Sequence, residues 1–549
     1  MISIKKSWRP ALATTVVGLS ILVTGCSEKE EEMAATVDKA PSAELAAEQV
    51  FTYRVLDEHS SVDPGIIEDV TGAEIARDLF EGLLTQNPDG TLAPGVAETW
   101  TANDAKNVYT FNLRKNAKWS NGDAVTAHDF EFAWKRAVDP ALASPYAWYM
   151  EIMSIKNGAA IIAGEKPSSD LGVKAIDDYT LQVELEASLP YFASMVVHTT
   201  TMPVPKKVVE AHGSDWTKTE NFVSNGAYVL DEHVVNERLV RVRNPLYWDN
   251  ANTTLDKVVS LVINDENQAL NRYMAGELDK TEVPAGQYKR LKGELPTETY
   301  AFPRLCSYYY NFNMEKAPFD DVRVRTALSY AFDRDIITDS VLGAGQYAAY
   351  TFTPAATANF EVPNVAFANM SQEERIAEAK KLMEEAGFGT DNPLKTTILY
   401  NTSDAHKKIA IAISQMWKEN LGVEVTLENQ EWKTFLDTRG NGDFEIARAG
   451  WCGDYNEAST FLDLVNSKSG YNDSNYNNPA VDKLLADAKT MADPSANYTK
   501  IEETIATEFP IMPIYHYTGN LMIKDYVKGW PIENVEQNWY SKNFKIMAH

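Results

Sequence analysis

The chain has 549 residues, of which 78 are Asp or Glu and 51 are Lys or Arg, giving a formal net charge of −27 at pH 7. This strong negative charge argues against nucleic acids and anionic membrane surfaces as partners, because both would repel it. The length is enough for roughly three domains.

Residues 1–25 have the pattern of a secretory signal peptide. A few basic residues precede an apolar stretch at 11–23, which is too short to span a membrane comfortably. The sequence LVTGC at its end resembles a bacterial lipobox and finishes at Cys26. We therefore expect cleavage before Cys26 and lipidation of its thiol. An ordinary cleaved signal with an incidental cysteine is the alternative. Residues 26–49 have many charged and small side chains, which predicts a flexible tether.

Periodic patterns predict several elements in the first half of the chain. Residues 50–56 (VFTYRVL) predict a strand, and TGAEIARDLFEGLL predicts a helix capped by Thr71, with Glu74 at the capping-box position. The segments NVYTFNLRKNAKW and DDYTLQVELEA alternate apolar and polar side chains, as half-buried strands do. GAAIIAGEK at 158–166 resembles a P-loop but has one residue too many, so it predicts a helix end and a loop.

Clear helix and strand signals return in the second half of the chain. SQEERIAEAKKLMEEAGF predicts a helix capped by Ser371 and ended by Gly387. LKTTILYNTS, AHKKIAIAISQMWKENLG and VEVTLENQ predict a strand, a helix and a strand in that order. This order is typical of a parallel sheet unit with a right-handed crossover.

Two cysteines, Cys306 and Cys452, remain once Cys26 is assigned to lipid. In an oxidising compartment they predict a disulfide, but two buried thiols or a catalytic cysteine remain alternatives. The sequence has no CxxC motif and no Cys/His spacing typical of zinc, so neither a metal site nor a cofactor is expected.

Common catalytic motifs are missing from the sequence. It contains neither GxSxG nor HExxH, and its SxxK motif lies within the predicted signal peptide. A hydrolase with a pair of carboxylates remains open, although no spacing singles out such a pair.

Four blocks of the sequence are distinctive: DLFEGLLTQNPDGTLAPGVAETW from Asp78, NPLYWDN from Asn244, KAPFDDVRVRTALSYAFDRDII from Lys316 and RAGWCGDYNE from Arg448. They resemble the extracytoplasmic peptide-binding proteins of ABC importers, solute-binding protein family 5. The resemblance runs from about residue 50 to the C-terminus. It implies an α/β, two-lobed periplasmic-binding-protein fold (type II, cluster C) with an additional third domain.

The resemblance also implies domain boundaries, including a discontinuous first lobe. The expected segments are the signal peptide at 1–25, the lipidated cysteine and tether at 26–49, lobe I at 50–81 plus 205–305 plus 521–549, extra domain II at 82–204, and lobe III at 306–520. A hinge closes the two lobes over the ligand in this family.

The resemblance implies a site that holds a short peptide as an added strand. Asp454 matches the carboxylate that pairs with the peptide's α-ammonium. Trp451 would line a side-chain pocket, with core packing as the alternative. Arg448, Arg439 and His406 match positions that meet the terminal carboxylate at different peptide lengths. A solvent-facing histidine is the alternative for His406.

Further positions complete the implied ligand set. Glu68, Val70 and Tyr146 match segments that lie along the peptide, and Trp432 is placed in the same set. Two positions depart from the family pattern, because Asn311 replaces a glutamate and Leu342 replaces a lysine. These departures remove one contact to a cationic side chain and one carboxylate anchor.

The function that the resemblance implies is binding and delivery rather than catalysis. We expect a monomeric, lipid-anchored receptor, periplasmic or on the cell surface, that passes short peptides of varied sequence to an ABC transporter permease. A narrower dipeptide or murein-peptide receptor is the first alternative, and a secreted hydrolase is the second.

Overall fold

The computed structural model describes residues 44–549, which belong to one compact unit. The predicted signal peptide, Cys26 and most of the predicted tether lie outside the described residues. Within the described part, no helix combines the length and apolar character needed to cross a bilayer.

A mixed seven-stranded sheet, here called the first sheet, is assembled from three distant stretches of the chain. Its strands in spatial order are Thr299–Tyr300, Leu521–Ile523, Lys280–Glu282, Val50–Val55, Lys257–Val262, Arg238–Arg243 and Tyr228–Val234. Val50–Val55 is parallel to both of its neighbours. The strand predicted at 50–56 is therefore confirmed, and it lies in the interior of a sheet that the C-terminal region completes.

A second sheet contains six strands. In spatial order they are Tyr347–Ala348, Ile511–Thr518, Pro303–Phe312, Ile446–Cys452, Lys395–Asn401 and Glu424–Gln430. Pro303–Phe312 pairs with Ile446–Cys452 in antiparallel register, which places Cys306 directly opposite Cys452.

A third sheet is antiparallel and has four strands. They are Ala97–Ala102, Val108–Leu113, Thr180–Glu184 and Val173–Asp177. The two alternating segments of the sequence contain strands, as predicted, and these are the two central strands of the sheet. Two small ribbons pair Leu84–Gln86 with Leu92–Pro94 and Val527–Lys528 with Lys545–Ile546.

Helices pack around the three sheets. The α-helices are Val70–Leu79, Ala127–Ala137, Ala147–Ile152, Gly158–Ile162, Phe192–Met195, Lys206–His212, Glu266–Met274, Tyr288–Glu294, Val322–Tyr330, Gln372–Glu385, Asp404–Leu421, Trp432–Gly440, Ser459–Leu462, Pro479–Ala488 and Ser495–Glu508. A π-helix covers Ile336–Leu342. Short 3-10 helices cover Ser168–Asp170, Thr199–Thr201, Gly213–Thr217, Asn250–Asn252, Ala366–Asn369, Asp463–Val465 and Ser541–Asn543.

The predicted start of the first helix is wrong by two residues. Asp69, not Thr71, caps the helix, because its carboxylate accepts hydrogen bonds from the backbone N–H of both Gly72 and Ser60. The second bond ties the cap to a loop nine residues earlier, which gives Asp69 an advantage over Thr71. By contrast, the capping box predicted at Ser371 is present.

The predicted strand–helix–strand unit is confirmed. Lys395–Asn401 and Glu424–Gln430 pair in parallel, and the helix Asp404–Leu421 connects them. Ser403 caps this helix, and Gly422 ends it with a φ of +72°, a conformation that glycine adopts readily. The segment at 158–166 is also a helix end followed by a loop, as predicted.

The largest hydrophobic core joins the third sheet to the end of the second sheet. Aromatic side chains from both regions meet in it, including Tyr146, Trp148, Trp451 and Tyr455. The packing holds residues that are distant in sequence beside the segment that follows Cys452.

Candidate ligand-binding site

Two adjoining cavities lie between the sheets. The volume of the smaller cavity is about 140 Å³ and that of the larger about 370 Å³. Both are lined by the shared residues Asp69, Val70, Arg304, Trp432, Gly450, Cys452 and Gln537. These shared walls make the two cavities parts of one continuous space.

Asp454 lies in the wall of the smaller cavity, two residues after the strand Ile446–Cys452. Its side chain is only 8% exposed. Oδ1 accepts a hydrogen bond from the hydroxyl of Tyr146 at 3.4 Å, whereas Oδ2 is buried and has no hydrogen-bond partner among residues 44–549. A buried carboxylate oxygen without a donor is costly, so this atom is suited to a cationic ligand group.

His198 is a second contact of Asp454, and sequence reasoning missed it. Its Nε2 lies 3.3 Å from Asp454 Oδ1, while its Nδ1 accepts the backbone N–H of Thr200. Because Nδ1 is an acceptor, the proton of a neutral ring lies on Nε2 and faces the carboxylate. A single histidine in the segment VVHTT carries no signal that would have indicated this role.

An aromatic cluster forms the wall beside Asp454. Trp451 stacks on Tyr146 with ring centroids 6.4 Å apart and nearly parallel planes, and it also contacts Trp148 and Tyr471. Trp451 lines the smaller cavity, and its Nε1 has no hydrogen-bond partner in the described part of the chain. Trp451 therefore both lines the smaller cavity and packs against other aromatic side chains, so the two interpretations of this residue describe the same position.

A disulfide joins Cys306 and Cys452 across two neighbouring strands. The predicted pairing is present, which leaves neither a free thiol pair nor a catalytic cysteine at these positions. Gly453 also donates its backbone N–H to the carbonyl of Leu305 at 2.8 Å. These two links fix the backbone immediately before Asp454.

Arg439 and Asn311 contact the same carboxylate. Arg439 lines the smaller cavity, and its Nε lies 2.9 Å from Asp473 Oδ2. Asn311 donates to the same oxygen at 3.2 Å, and its side chain is absent from the walls of both cavities as residues 44–549 define them. Arg439 therefore already has an internal partner, and Asn311 lies behind the site rather than in it.

The larger cavity contains Arg448 and His406. Arg448 donates to the hydroxyl of Tyr517 at 2.7 Å and to the side-chain oxygen of Asn401 at 3.3 Å. His406 is 8% exposed, so the solvent-facing alternative is wrong. Burial, followed by the nearby Arg448 charge, holds the pKa of His406 well below its usual range. A neutral imidazole beside a cationic guanidinium results.

Leu342, Trp432 and Val70 also line the larger cavity. Leu342 is the last residue of the π-helix, and its side chain is buried. Trp432 begins the helix Trp432–Gly440 and stacks on Phe435. All three side chains contribute apolar surface to the lining of the larger cavity.

Glu68 and Glu536 add carboxyl groups to the smaller cavity. Glu68 accepts a hydrogen bond from Tyr471 at 3.3 Å, and burial raises its pKa despite the opposing charge of Arg439. Burial also raises the pKa of Glu536 to about 7; its hydrogen bond from Gln86 opposes this increase, and the charge of Asp454 adds to it. Sequence reasoning did not select Glu536.

The chain matches the family model described as bacterial extracellular solute-binding proteins, family 5 Middle, over residues 91–473. The periplasmic oligopeptide-binding protein OppA of Salmonella typhimurium is 48% identical over 522 residues, covering 94% of this chain and 96% of that protein. The chain therefore belongs to the family 5 extracellular solute-binding proteins. Its α/β, two-lobed periplasmic-binding-protein fold is as expected.

Comparison with solved structures also places the chain among the family 5 solute-binding proteins. The murein tripeptide binding protein MppA of Escherichia coli superposes with a TM-score of 0.90 at 47% identity, covering 92% of this chain and all of that one. Haemophilus influenzae OppA in complex with the peptide RPPGFSPFR gives a TM-score of 0.89 at 43% identity, with the same coverage.

The unliganded open form of MppA gives a TM-score of only 0.66, at 46% identity and with coverage of 92% and 99%. Identity and coverage barely change between the two MppA structures, so the lower score reflects a different arrangement of the same fold. The present structure is therefore unlike that open form.

Proposed function

We propose that the chain is an extracytoplasmic receptor that binds short peptides with little sequence preference and delivers them to an ABC-type permease. The observation that carries this proposal is the unpartnered Oδ2 of buried Asp454 at one part of an extended cavity. A free peptide ammonium would supply the missing charge-assisted hydrogen bonds. The relatives named for oligopeptide binding support the same ligand class.

The larger cavity accounts for the opposite end of the peptide. Arg448 and the neutral ring of His406 would face the terminal carboxylate, directly or through water. Hydrogen bonds to the peptide main chain do not depend on the identity of its side chains, so they provide affinity without sequence preference. Water within roomy pockets would adapt to each ligand side chain.

The three sheets support an assignment of domains. We assign lobe I to 50–81, 205–305 and 521–549, domain II to 82–204, and lobe III to 306–520, because each sheet takes its strands almost entirely from one of these sets.

We further propose a periplasmic or surface location, a monomeric state and a lipid anchor at Cys26. Mass spectrometry of the protein from its native host should detect acyl chains on Cys26.

Calorimetry with free and N-acetylated alanine peptides tests the ammonium site. Losing one partner of a buried ion pair costs ~3–5 kcal/mol, which corresponds to about a hundredfold or more in Kd. We expect that loss for acetylated peptides on the wild type and for free peptides on Asp454→Asn. Asp443→Asn is the matched control, because Asp443 is exposed on the same lobe. Equal affinity for both peptide forms would reject the proposal.

A murein-peptide receptor is a second candidate, favoured by the TM-score of 0.90 to MppA. A competition series that sets alanine peptides against murein tripeptide separates the two functions. Comparable affinities would support the broad receptor. A preference of several hundredfold for murein tripeptide, equivalent to about 3–4 kcal/mol, would support the specialist.

A further inference from the structure

Three side chains outside the peptide cavity form a compact cluster of metal-ligating atoms. Glu58 and His59 follow the strand Val50–Val55, and His233 lies in the strand Tyr228–Val234. Glu58 Oε1 is 2.9 Å from His59 Nδ1 and 2.8 Å from His233 Nε2. One ligand atom from each residue lies within 4.8 Å of the other two.

The cluster combines burial with one route to solvent. The side chains of Glu58 and His59 are 4% and 7% exposed, whereas that of His233 is 25% exposed. The backbone N–H of Asn236 donates to Glu58 Oε2 at 2.6 Å and orients the carboxylate. An ion could enter at the His233 edge and keep a water ligand there.

The donor set and spacing suit a tetrahedral divalent ion. Two imidazoles and one carboxylate, with a water as fourth ligand, form a common zinc site with metal–ligand distances of ~2.0–2.2 Å. Ligand atoms in such a tetrahedron lie ~3.3 Å apart, a few tenths of an ångström more than the two hydrogen-bonded separations here. A displacement of Glu58 Oε1 by a few tenths of an ångström away from the two imidazoles would make room for the ion.

We propose that Glu58, His59 and His233 form a binding site for a first-row divalent cation, preferentially Zn²⁺. In the metal-free protein both rings donate an N–H to Glu58. On binding, each ring must present a lone pair, so the two protons move to the other ring nitrogens or leave.

The site is separate from the ammonium site but close to the peptide cavity. Glu58, His59 and His233 do not line either of the two cavities described by residues 44–549, whereas the adjacent Asp57 lines the larger one. On the other side, Ser60 donates to Asp69, which caps the helix at both cavities. The two sites can thus be tested independently.

The test is a titration of tag-free, EDTA-treated protein with Zn²⁺ alone, followed by calorimetry and a competing chromophoric chelator. We expect one strong site per chain. Mutating an outer-shell partner of a metal site typically costs about 10–100-fold in affinity, so removing a direct ligand in His233→Asn should weaken binding at least about tenfold. His128→Asn is the control, because His128 is exposed and lies near the carboxylates of Glu131 and Asp178, outside the proposed site.

Anomalous diffraction at the zinc edge on wild-type crystals gives a second measurement that does not depend on folding of a variant. A peak bounded by the three side chains supports the proposal. Absence of a stoichiometric site, equal affinity of wild type and His233→Asn, or zinc only at His128 or other surface groups would overturn it. Peptide binding, measured in parallel, reports on the proposed receptor function independently.

Discussion

Two carboxyl groups and an imidazole meet at the ammonium end of the proposed site. Asp454 has one oxygen without a partner, His198 faces its other oxygen, and Glu536 lines the same cavity. With a pKa of about 7, Glu536 is partly protonated near neutral pH. A bound ammonium would favour its ionised form and therefore release a proton.

Peptide affinity should consequently increase as the pH rises toward about 7 and level off above that value. At pH values below the pKa that Glu536 has in the peptide complex, its carboxyl group is protonated with and without peptide. It therefore gives no increase in affinity in that range. Each unit by which the bound peptide lowers the pKa of Glu536 increases the peptide affinity about tenfold. Calorimetry across this pH range measures the effect.

Glu536→Gln should flatten this pH profile, and Glu533→Gln is the control because Glu533 is exposed on the same segment. The difference between the pH profiles of the variant and the wild type isolates the contribution of Glu536. Identical profiles for all three proteins would contradict the role of Glu536.

Leu342 gives a second prediction at this scale. A peptide held at its ammonium end places its carboxylate at a depth that grows by ~3.3 Å per residue. The resemblance implies a lysine at this position and leucine offers no donor, so peptides of one length, about four residues, should bind ~1.5–3 kcal/mol more weakly than peptides of neighbouring lengths. Calorimetry with alanine peptides of increasing length measures this dip.

Leu342→Lys should remove the dip and leave other lengths nearly unchanged, whereas Leu342→Met should keep it. A smooth length profile of the wild type would show that Leu342 does not face the carboxylate of a peptide. A uniform gain at all lengths in Leu342→Lys would indicate a general charge effect.

The candidate site was only partly predictable from the sequence. Asp454 was selected because its block resembles a family motif, and the structure places it in a cavity wall. His198 and Glu536 were missed because each is an isolated residue whose contact partner is hundreds of positions away. Asn311 was selected, but its amide contacts Asp473 behind the cavity, a direction that no local pattern encodes.

Elements are held together by a buried charge pair between the first helix and the first sheet. Arg241, in the strand Arg238–Arg243, donates to Asp78 at 2.8 Å, and both side chains are almost fully buried. Ser541 donates to Asp78 through both its N–H and its hydroxyl. One carboxylate thus connects a helix, a strand and the C-terminal segment.

Arg241→Ala should lower the free energy of unfolding by ~3–5 kcal/mol, because it leaves Asp78 buried without its cation. Arg243→Ala is the control: Arg243 pairs with Asp256 in an exposed bridge, and its loss should cost less than ~1 kcal/mol. Urea unfolding followed by circular dichroism measures both. Similar losses in the two variants would contradict the importance of the buried pair.

Single elements were easier to predict than their arrangement. Alternation identified Val108–Leu113 and Thr180–Glu184, and capping signals identified the helix Gln372–Glu385. These patterns reflect contacts within one element or with one face of a sheet. The pairing of Leu521–Ile523 with Lys280–Glu282 depends on tertiary packing across more than two hundred residues, and periodicity contains no information about it.

At the scale of the whole molecule, contacts bridge regions assigned to different domains. Asp454 meets Tyr146 and His198, and Tyr191 stacks on Tyr455 with ring centroids 5.4 Å apart. Together with the low TM-score to the open form of MppA, these contacts indicate a closed arrangement. The contacts around Asp454 include the residue proposed to bind the ammonium, so ligand and closure should be coupled.

We expect the peptide-free protein in solution to populate a more open arrangement than the closed one described here, so free peptide should decrease the radius of gyration measured by small-angle X-ray scattering. An N-acetylated peptide at the same concentration should have a much smaller effect, because it lacks the group that Asp454 would bind. Asp454→Asn should respond weakly to both peptides. An unchanged radius under saturating free peptide would show that binding and closure are not coupled.

The strand order of the three sheets also constrains the order in which they can be completed during synthesis. The four-stranded sheet is complete once residue 184 is available. The second sheet lacks an interior strand until Ile511–Thr518 emerges, and the first sheet waits for Leu521–Ile523 even though it contains the earliest strand, Val50–Val55. Val50–Val55 can pair with both of its neighbours once residue 282 has been made, but one edge of Lys280–Glu282 stays open until Leu521–Ile523 follows, so premature truncation would leave both large sheets incomplete.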